Sequence, residues 1–462
     1  MAKLCHFHES AKPLLLKSIY SLPHAMPEWQ KWLCVAQSLG KCLPLMPKML
    51  NFVVETARKS VRKDNQLMTY DFDTPIDRTG TCDVKHVRLA EMWHRTDLLP
   101  LWVADMDWQT PPFVAEALIR RVQNPLAGYT ALPEDYWDTV IRWVQEHHGW
   151  QMREEWMSFI PGIVKGIGMA VCALLSPGDK VIIQPPVYHP FRLVPQGYGH
   201  EVVMNPLVER PDGYYDMDFE HLARVADEHC RLLILCNPHN PGGICWPRET
   251  LQRLAAFCYE RGIIVISDEI HCDMALFGHR HIPFASVSPE AEQNSITFCA
   301  PSKTFNMAGL VSSWAAVPNE QLRQRFFGWM QAGELNEPTM MAPLATQVAF
   351  REGEEWRRQM LRYVEQNVEF VIGYCREHMP LIRPLRPQAS FLVWLDCRQL
   401  GLTHDQLQHL FVDEAHLALN DGEMFGPGGE GFMRLNVGTQ RAVLRSAMES
   451  LARAVAGAQR KP

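Results

Sequence analysis

The 462-residue chain lacks the marks of several protein classes. None of its 13 cysteines forms a C-x-x-C pair, and the odd number argues against a disulfide framework or a cysteine-held zinc site. They read as reduced thiols, most of them small core residues, which points to a cytoplasmic protein. No stretch reaches the ~18 uncharged apolar residues that cross a membrane. Basic residues are not in excess: 45 Lys and Arg stand against 52 Asp and Glu, a net charge of −7. Neither nucleic acid nor an anionic membrane surface is therefore an expected partner. Internal repeats and low-complexity tracts are absent. Gly166-x-Gly168 is followed by Val171, so the dinucleotide fingerprint lacks its third glycine and a nicotinamide site is discounted.

What remains is an ordinary globular composition, 47% hydrophobic and 21% charged, with length for two or three domains. The charge is uneven. Residues 1–67 hold ten basic and four acidic side chains, net +6, which leaves −13 for the rest. Pro13, Pro23, Pro27, Pro44 and Pro47 interrupt that segment, whose one long candidate helix lies near Met49–Arg62. It has no secretory apolar core, and its early prolines spoil an amphipathic transit helix. Met68 opens the run Met68-Thr69-Tyr70-Asp71-Phe72, where the folded pattern begins. Residues 1–67 are thus expected to be a poorly ordered extension, or sequence upstream of a natural start at Met68.

From Leu99 onward, short Val/Ile/Leu-rich runs alternate with amphipathic stretches. Lys180–Gln184, Arg231–Cys236, Gly262–Ser267 and Ser295–Cys299 read as strands covered on both faces. Pro133–His147, Val164–Leu175 and Arg248–Glu260 read as helices. The alternation predicts a doubly wound, mainly parallel α/β sheet. Beyond about Ala349, long helices (Glu354–His378, His404–Ala415, Arg441–Ala458) and strands near Ser390–Leu395 and Phe432–Val437 predict a smaller α+β domain.

Ligands of such sheets bind beyond the carboxyl ends of the strands. There stand Tyr188 after Pro185-Pro186, Asn240 within Asn237–Gly243, Asp268 and His271, and Lys303 within Pro301–Asn306. An amide, a carboxylate and an amine ending three strands fit a pyridoxal 5′-phosphate site. Lys303 would hold the aldehyde as a Schiff base and later remove the substrate Cα proton. Asp268 would keep the pyridine nitrogen protonated, and Asn240 would donate to O3′. His271 would support that edge, and Tyr188 would stack on the ring. Pro161–Gly166 runs into a helix whose N-terminus suits a phosphate. Taken singly, these residues have plainer roles: Asp268 as a helix cap, His271 as a satisfied core histidine, Tyr188 as loop packing.

Six motifs carry a resemblance. They are Leu101-Trp102-Val103-Ala104-Asp105-Met106-Asp107, Gly128-Tyr129, Asn237–Gly243, Ser267–His271, Pro301–Asn306 and Phe432–Val437. In this order, over about residues 68–458, the chain resembles the fold-type I pyridoxal-phosphate enzymes, and within them the MalY/PatB group of cystathionine β-lyases. The resemblance implies a small-domain segment at 68–115, a large cofactor domain at 116–348 and a small domain at 349–462. It also implies Lys303, Asp268, Asn240 and Tyr188 in the roles given above. Ile163 and Val164 are implied as backbone phosphate donors, Ser302 as a hydroxyl donor, and Arg434 as the clamp on the substrate α-carboxylate. Tyr129 is implied to reach the phosphate of a neighbouring subunit, which makes the active unit a homodimer. Two departures from aminotransferases stand out. Residues 307–313 lack the second phosphate-binding arginine, and Ala300 replaces a phosphate-binding serine. The expected activity is β-elimination from L-cystathionine and other S-substituted cysteines, giving a thiol, pyruvate and ammonia, with homocysteine feeding methionine synthesis. Transamination, and a regulatory role in binding a transcription activator, are the alternative readings.

Overall fold

The Val/Ile/Leu-rich runs assemble into a seven-stranded mixed sheet. The computed structural model describes residues 69–459, so the N-terminal extension, its candidate helix Met49–Arg62 and the Met68 start lie outside the described residues. In chain order the strands are β1 (Met157–Ile160), β2 (Lys180–Ile183), β3 (Glu201–Met204), β4 (Cys230–Cys236), β5 (Ile264–Asp268), β6 (Ser295–Cys299) and β7 (Ser313–Ala316). Their order across the sheet is β1-β7-β6-β5-β4-β2-β3. The block from β6 to β3 is parallel, while β7 runs antiparallel to both β1 and β6.

Side-chain alternation sends each strand's residues to two cores. Leu232 and Ile234 of β4, with Ile266 and Phe298, pack against α2 (Ile163–Leu174) and α4 (Glu320–Ala332). Leu233 and Leu235, with Val265, face α3 (Arg248–Glu260) through Leu251, Leu254 and Cys258. A sheet apolar on both faces is stable only between two helical layers, and burying each such side chain contributes about 1.5–3 kcal/mol.

An antiparallel sheet of order β8-β9-β11-β10 follows, from β8 (Arg383–Leu385), β9 (Leu392–Asp396), β10 (Asn420–Asp421) and β11 (Phe432–Asn436). It rests on α5 (Glu354–His378) and α6 (Arg441–Ala458). Trp356, Met360, Val364, Val368, Val371 and Cys375 of α5 recur at three- and four-residue spacing and join Leu444, Met448, Leu451 and Val455 of α6 in one core. That core also takes in α1 (Tyr136–His148) through Tyr136, Val140, Trp143 and Val144.

Several elements depart from the sequence expectation. Gly262 sits at φ +65° in the turn after α3, so β5 begins later and runs on to Asp268. The helix expected over His404–Ala415 is α-helical only to His409 and widens into a π turn over Leu410–Glu414. Strands β1, β3 and β7, with sequences MSFI, EVVM and SWAA, lack the longer Val/Ile/Leu-rich runs of the central strands and are not among the expected ones.

Gly422 opens the turn between β10 and β11. A β-carbon there would collide with the backbone carbonyls of Gly429 and Phe432. Gly422→Ala is expected to cost about 2–4 kcal/mol in urea unfolding and to weaken substrate binding through β11. Gly373→Ala, inside α5 with nothing near its β-carbon, should instead be neutral or stabilise by about 0.5–1 kcal/mol.

Candidate active site

Three central strands end level with one another. Cys236 of β4 pairs with Asp268 of β5, and Asp268 pairs with Phe298 of β6. The segments that follow therefore leave the carboxyl edge of the sheet side by side, each carrying one of the expected polar residues.

Asp268 is 4% exposed. One of its oxygens accepts the Ile270 backbone N–H at 3.1 Å, and no side-chain cation bonds to it among the described residues. Burial pushes its carboxyl pKa up to about 7, against the opposing pull of that hydrogen bond and of Lys303. Lys303 donates from Nζ to the Ala104 carbonyl at 2.7 Å. Burial brings its amine down to about 8, helped by the Arg434 charge and opposed by Asp105 and Asp268. An amine in that range is partly unprotonated near neutrality and suited to move protons.

Arg434, in the middle of β11, is 5% exposed yet has no carboxylate partner among the described residues. Its Nη1 donates to Asn240 Oδ1 at 2.9 Å, and its Nη2 donates to the Trp102 carbonyl at 2.9 Å and to Asn420 Oδ1. Nε is buried without an acceptor. Burial lowers the guanidinium pKa to about 10. A desolvated, uncompensated guanidinium with a free N–H is a site for an anion.

Because arginine can only donate, its bond to Asn240 fixes the amide with Oδ1 toward Arg434 and Nδ2 turned away. Nδ2 makes no hydrogen bond among the described residues and is left for a ligand. The Asn240 carbonyl also accepts the Tyr188 N–H at 3.1 Å, which ties the Tyr188 loop to the Asn240 loop. Tyr188 packs edge-on against Phe191, and burial raises its phenol pKa. His271 is buried with Nδ1 unpartnered. Burial, reinforced by Lys303 and Arg434, lowers its pKa to about 3, so the ring stays neutral.

Helix α2 starts where β1 ends. Gly162 caps it at φ +102°, and Ile163 and Val164 are its first residues. Its first turn has no acidic side chain, so the free N–H groups and the helix dipole favour an anion. Ser302 is buried directly before Lys303. Tyr129 is not brought to this cluster: its side chain is fully exposed on the irregular stretch after Gln123.

The structure adds a floor that sequence reasoning did not find. Residues 101–108 run beneath Lys303, held by two asparagines. Asn436 Nδ2 donates to the Val103 and Asp105 carbonyls, both at 2.6 Å. Asn306 donates to the carbonyls of Met106 (2.9 Å) and Trp108 (2.6 Å) and accepts the Met106 N–H at 3.0 Å. The signal was available: Asn306 ends one of the six motifs and Asn436 is the penultimate residue of another, and each is a polar member that can satisfy a loop's backbone groups.

Most of the chain is similar to known proteins. The family model "Aminotransferase class I and II" matches residues 96–451. Cystathionine beta-lyase PatB of Bacillus subtilis is 40% identical over 382 residues, covering 82% of this chain and 98% of that protein. Protein MalY of Escherichia coli is 27% identical, with 84% and 99% covered. Among solved structures, cystalysin from Treponema denticola, which contains pyridoxal 5′-phosphate, aligns with TM-score 0.81 and 30% identity, covering 84% of this chain and 100% of that one. The pyridoxal-phosphate-bound C-S lyase from Staphylococcus hominis aligns with TM-score 0.78 and 30% identity, covering 84% and 98%.

The raised pKa of Asp268 has a measurable consequence. Its folded value of about 7 lies above the ordinary ~3.9 of an unfolded aspartate. The protein therefore loses stability as pH rises from about 4, and the loss is complete above about 7. Asp268→Asn, neutral and of the same shape, should make the cofactor-free protein more stable than wild type by about 2–4 kcal/mol at pH 8. The advantage should be smaller at pH 5, and urea midpoints at the two pH values measure the gap. A gap that does not widen with pH would mean that the carboxylate is not desolvated.

Proposed function

Because the chain belongs to the class I and II aminotransferase family, we propose that it is a pyridoxal-phosphate-dependent carbon–sulfur β-lyase acting on L-cystathionine and related S-substituted cysteines. The observation that carries this reading is the buried, unpaired Arg434 beside a lysine that can give up its proton and a carboxylate that lacks a cation. The residues present suit the cofactor: Asp268 for the pyridine nitrogen, Asn240 Nδ2 for O3′, and the start of α2 with Ser302 for the phosphate. Bound there, pyridoxal phosphate withdraws the electron pair left at the substrate Cα.

The chain's own groups do the rest. Arg434 takes the α-carboxylate with a planar fork whose Nε has no other acceptor. Asp268 holds a proton at the pyridine nitrogen. Lys303 Nζ removes the Cα proton and can return a proton to the departing sulfur. Loss of homocysteine and hydrolysis of the remaining three-carbon fragment yield pyruvate and ammonia, a step of methionine synthesis. Elimination is favoured over transamination by the absence of any arginine or lysine between Lys303 and Ser313, and by the relatives named as lyases.

The working unit is a homodimer in the cytoplasm. Supporting this are Tyr129, presented outward to reach a neighbouring subunit's phosphate, and the free thiols of the described cysteines, which fit a reducing compartment.

With L-cystathionine, the holoenzyme should release pyruvate and free thiol in equal amounts. Lys303→Ala should lower the rate at least about 10³-fold. Arg434→Lys, which keeps the charge and loses the fork, should lower kcat/KM by about 10–100-fold, mainly through KM. Amino transfer to a keto acid without thiol release would sink the assignment.

The dimer is tested by complementation. Tyr129→Ala and Lys303→Ala subunits, each nearly inactive alone, should recover about a quarter of wild-type activity after mixing and reassembly, because half the dimers then carry one intact site. No recovery would leave Tyr129 outside the site.

A further inference from the structure

Lys85 lies in the single helical turn Val84–Val87 and is completely buried. Nothing in its sequence neighbourhood, Asp83-Val84-Lys85-His86-Val87-Arg88, suggests more than a solvated charged turn. In the structure its Nζ lies 2.8 Å from Asp107 Oδ1 and 3.5 Å from Asp105 Oδ1. Arg78 joins from the other side, with Nη2 2.7 Å from Asp107 Oδ1, Nη1 3.4 Å from Asp105 Oδ2, and a bond to the Met106 carbonyl at 2.8 Å. Arg78 is shared with Asp83 at 3.3 Å. The Lys85 carbonyl accepts the indole N–H of Trp102 at 3.0 Å.

Two cations thus grip both carboxylates of one short loop. The other side of that loop meets the active centre. Between the two aspartates and Trp102 run the Ala104 carbonyl, which accepts from Lys303, and the Trp102 carbonyl, which accepts from Arg434.

We propose that Lys85 is a positioning residue of the active centre: with Arg78 it fixes the 101–108 loop so that the Ala104 carbonyl meets the Lys303 amine, and it offsets the charge that Asp105 presents to that amine. The inference rests on Lys303 acting as proposed above. The charges that face Lys303 are Asp105 from this loop, Asp268 at the end of β5 and Arg434 on β11, with neutral His271 beside them. Of these, Asp105 gives the largest opposing influence on the burial-driven loss of the Lys303 proton. Lys85 is therefore placed to limit how far Asp105 holds that proton in place. It touches neither substrate nor cofactor, and removing it leaves two partly buried carboxylates with Arg78 alone.

The test reads the amine itself. Full-length protein with the cofactor removed is labelled with trace acetic anhydride across pH 6–10, and acetylation of Lys303 is read by peptide mass spectrometry. Lys85→Met should move the labelling midpoint up by roughly half a unit to one unit, because the cation that offsets Asp105 is lost. Lys85→Arg should leave it at the wild-type value. Asp105→Asn should move it down. In the holoenzyme, the pH titration of the cofactor's visible absorbance should shift in the same directions.

An unmoved midpoint in a Lys85→Met protein that melts like wild type would overturn the proposal. If Lys85→Met does not fold, Asp105→Asn decides alone, and an unmoved midpoint there overturns it too. The midpoints need no substrate. Lyase activity surviving Lys303→Ala would instead defeat the functional reading, so the two failures are separable.

Discussion

A guanidinium taken out of water with no anion beside it is the constraint around which this molecule is organised. Transfer of a charge from water to a protein interior costs several kcal/mol unless it is paired. Arg434 meets that cost without any carboxylate among the described residues, through two amide oxygens, one carbonyl and the face of the Phe425 ring 5.0 Å away. Asp268 is the opposite case, a buried carboxylate met by one backbone N–H. An ordinary fold would bring two such charges together and let them cancel. Here they lie on different sheets, with Asp268 at the end of β5 and Arg434 in β11, so each is left for a ligand. In the proposed function a cofactor with a protonated ring nitrogen, and a substrate with a carboxylate, would supply the two missing partners.

Holding those groups apart needs rigid supports. The level ends of β4, β5 and β6 set Asn240, Asp268 and the Lys303 segment by register rather than by loop flexibility. Asn240 then does two things with one amide. Its oxygen compensates Arg434, which fixes its nitrogen toward the ligand. The 101–108 loop is the third support, and it shows why asparagine recurs in this site. A partly buried loop outside regular structure carries backbone carbonyls and N–H groups that no helix or strand ladder pairs, and an amide side chain can satisfy both kinds. Each such bond contributes about 1 kcal/mol, and leaving its partner unmet costs about 1–3 kcal/mol. Asn306 and Asn436 thus hold the surface against which the Lys303 amine rests.

Much of this was legible in the sequence because it follows from local rules. Strand runs apolar on both faces, helices with three- and four-residue spacing, and polar residues just past strand ends located β4, β5, β6, α3, α5 and α6 within a few residues. They also singled out Asp268, Asn240 and Lys303. The features not legible are those fixed by distant partners. Strand β7 is four small or aromatic residues, Ser313–Ala316, whose strand character comes only from pairing with β1 and β6. The π turn at Leu410–Glu414 lies within a run whose spacing is helical throughout. Lys85 reads as a solvent-facing cation until Asp105 and Asp107, some twenty residues on, close over it. Tyr129 carried its expected role through its motif alone, and within one subunit nothing surrounds it.

The electrostatics of the phosphate end follow from the same economy of charge. Between Lys303 and Ser313 there is no cationic side chain, and the start of α2 offers backbone N–H groups and a helix dipole instead. A dipole-held phosphate is bound less strongly than one met by a bidentate arginine. Yet another fixed positive charge at this end would bear on Lys303, whose amine already gives up its proton more readily because of Arg434 and burial. Arg434, the cation of the site that no carboxylate meets among the described residues, lies on β11, where the proposed reading has it take the substrate carboxylate. On this view the missing arginine and the buried Lys85 cluster balance the same quantity, the positive potential at Lys303. The first withholds a cation near the amine. The second shields the anion, Asp105, that would otherwise keep the amine protonated.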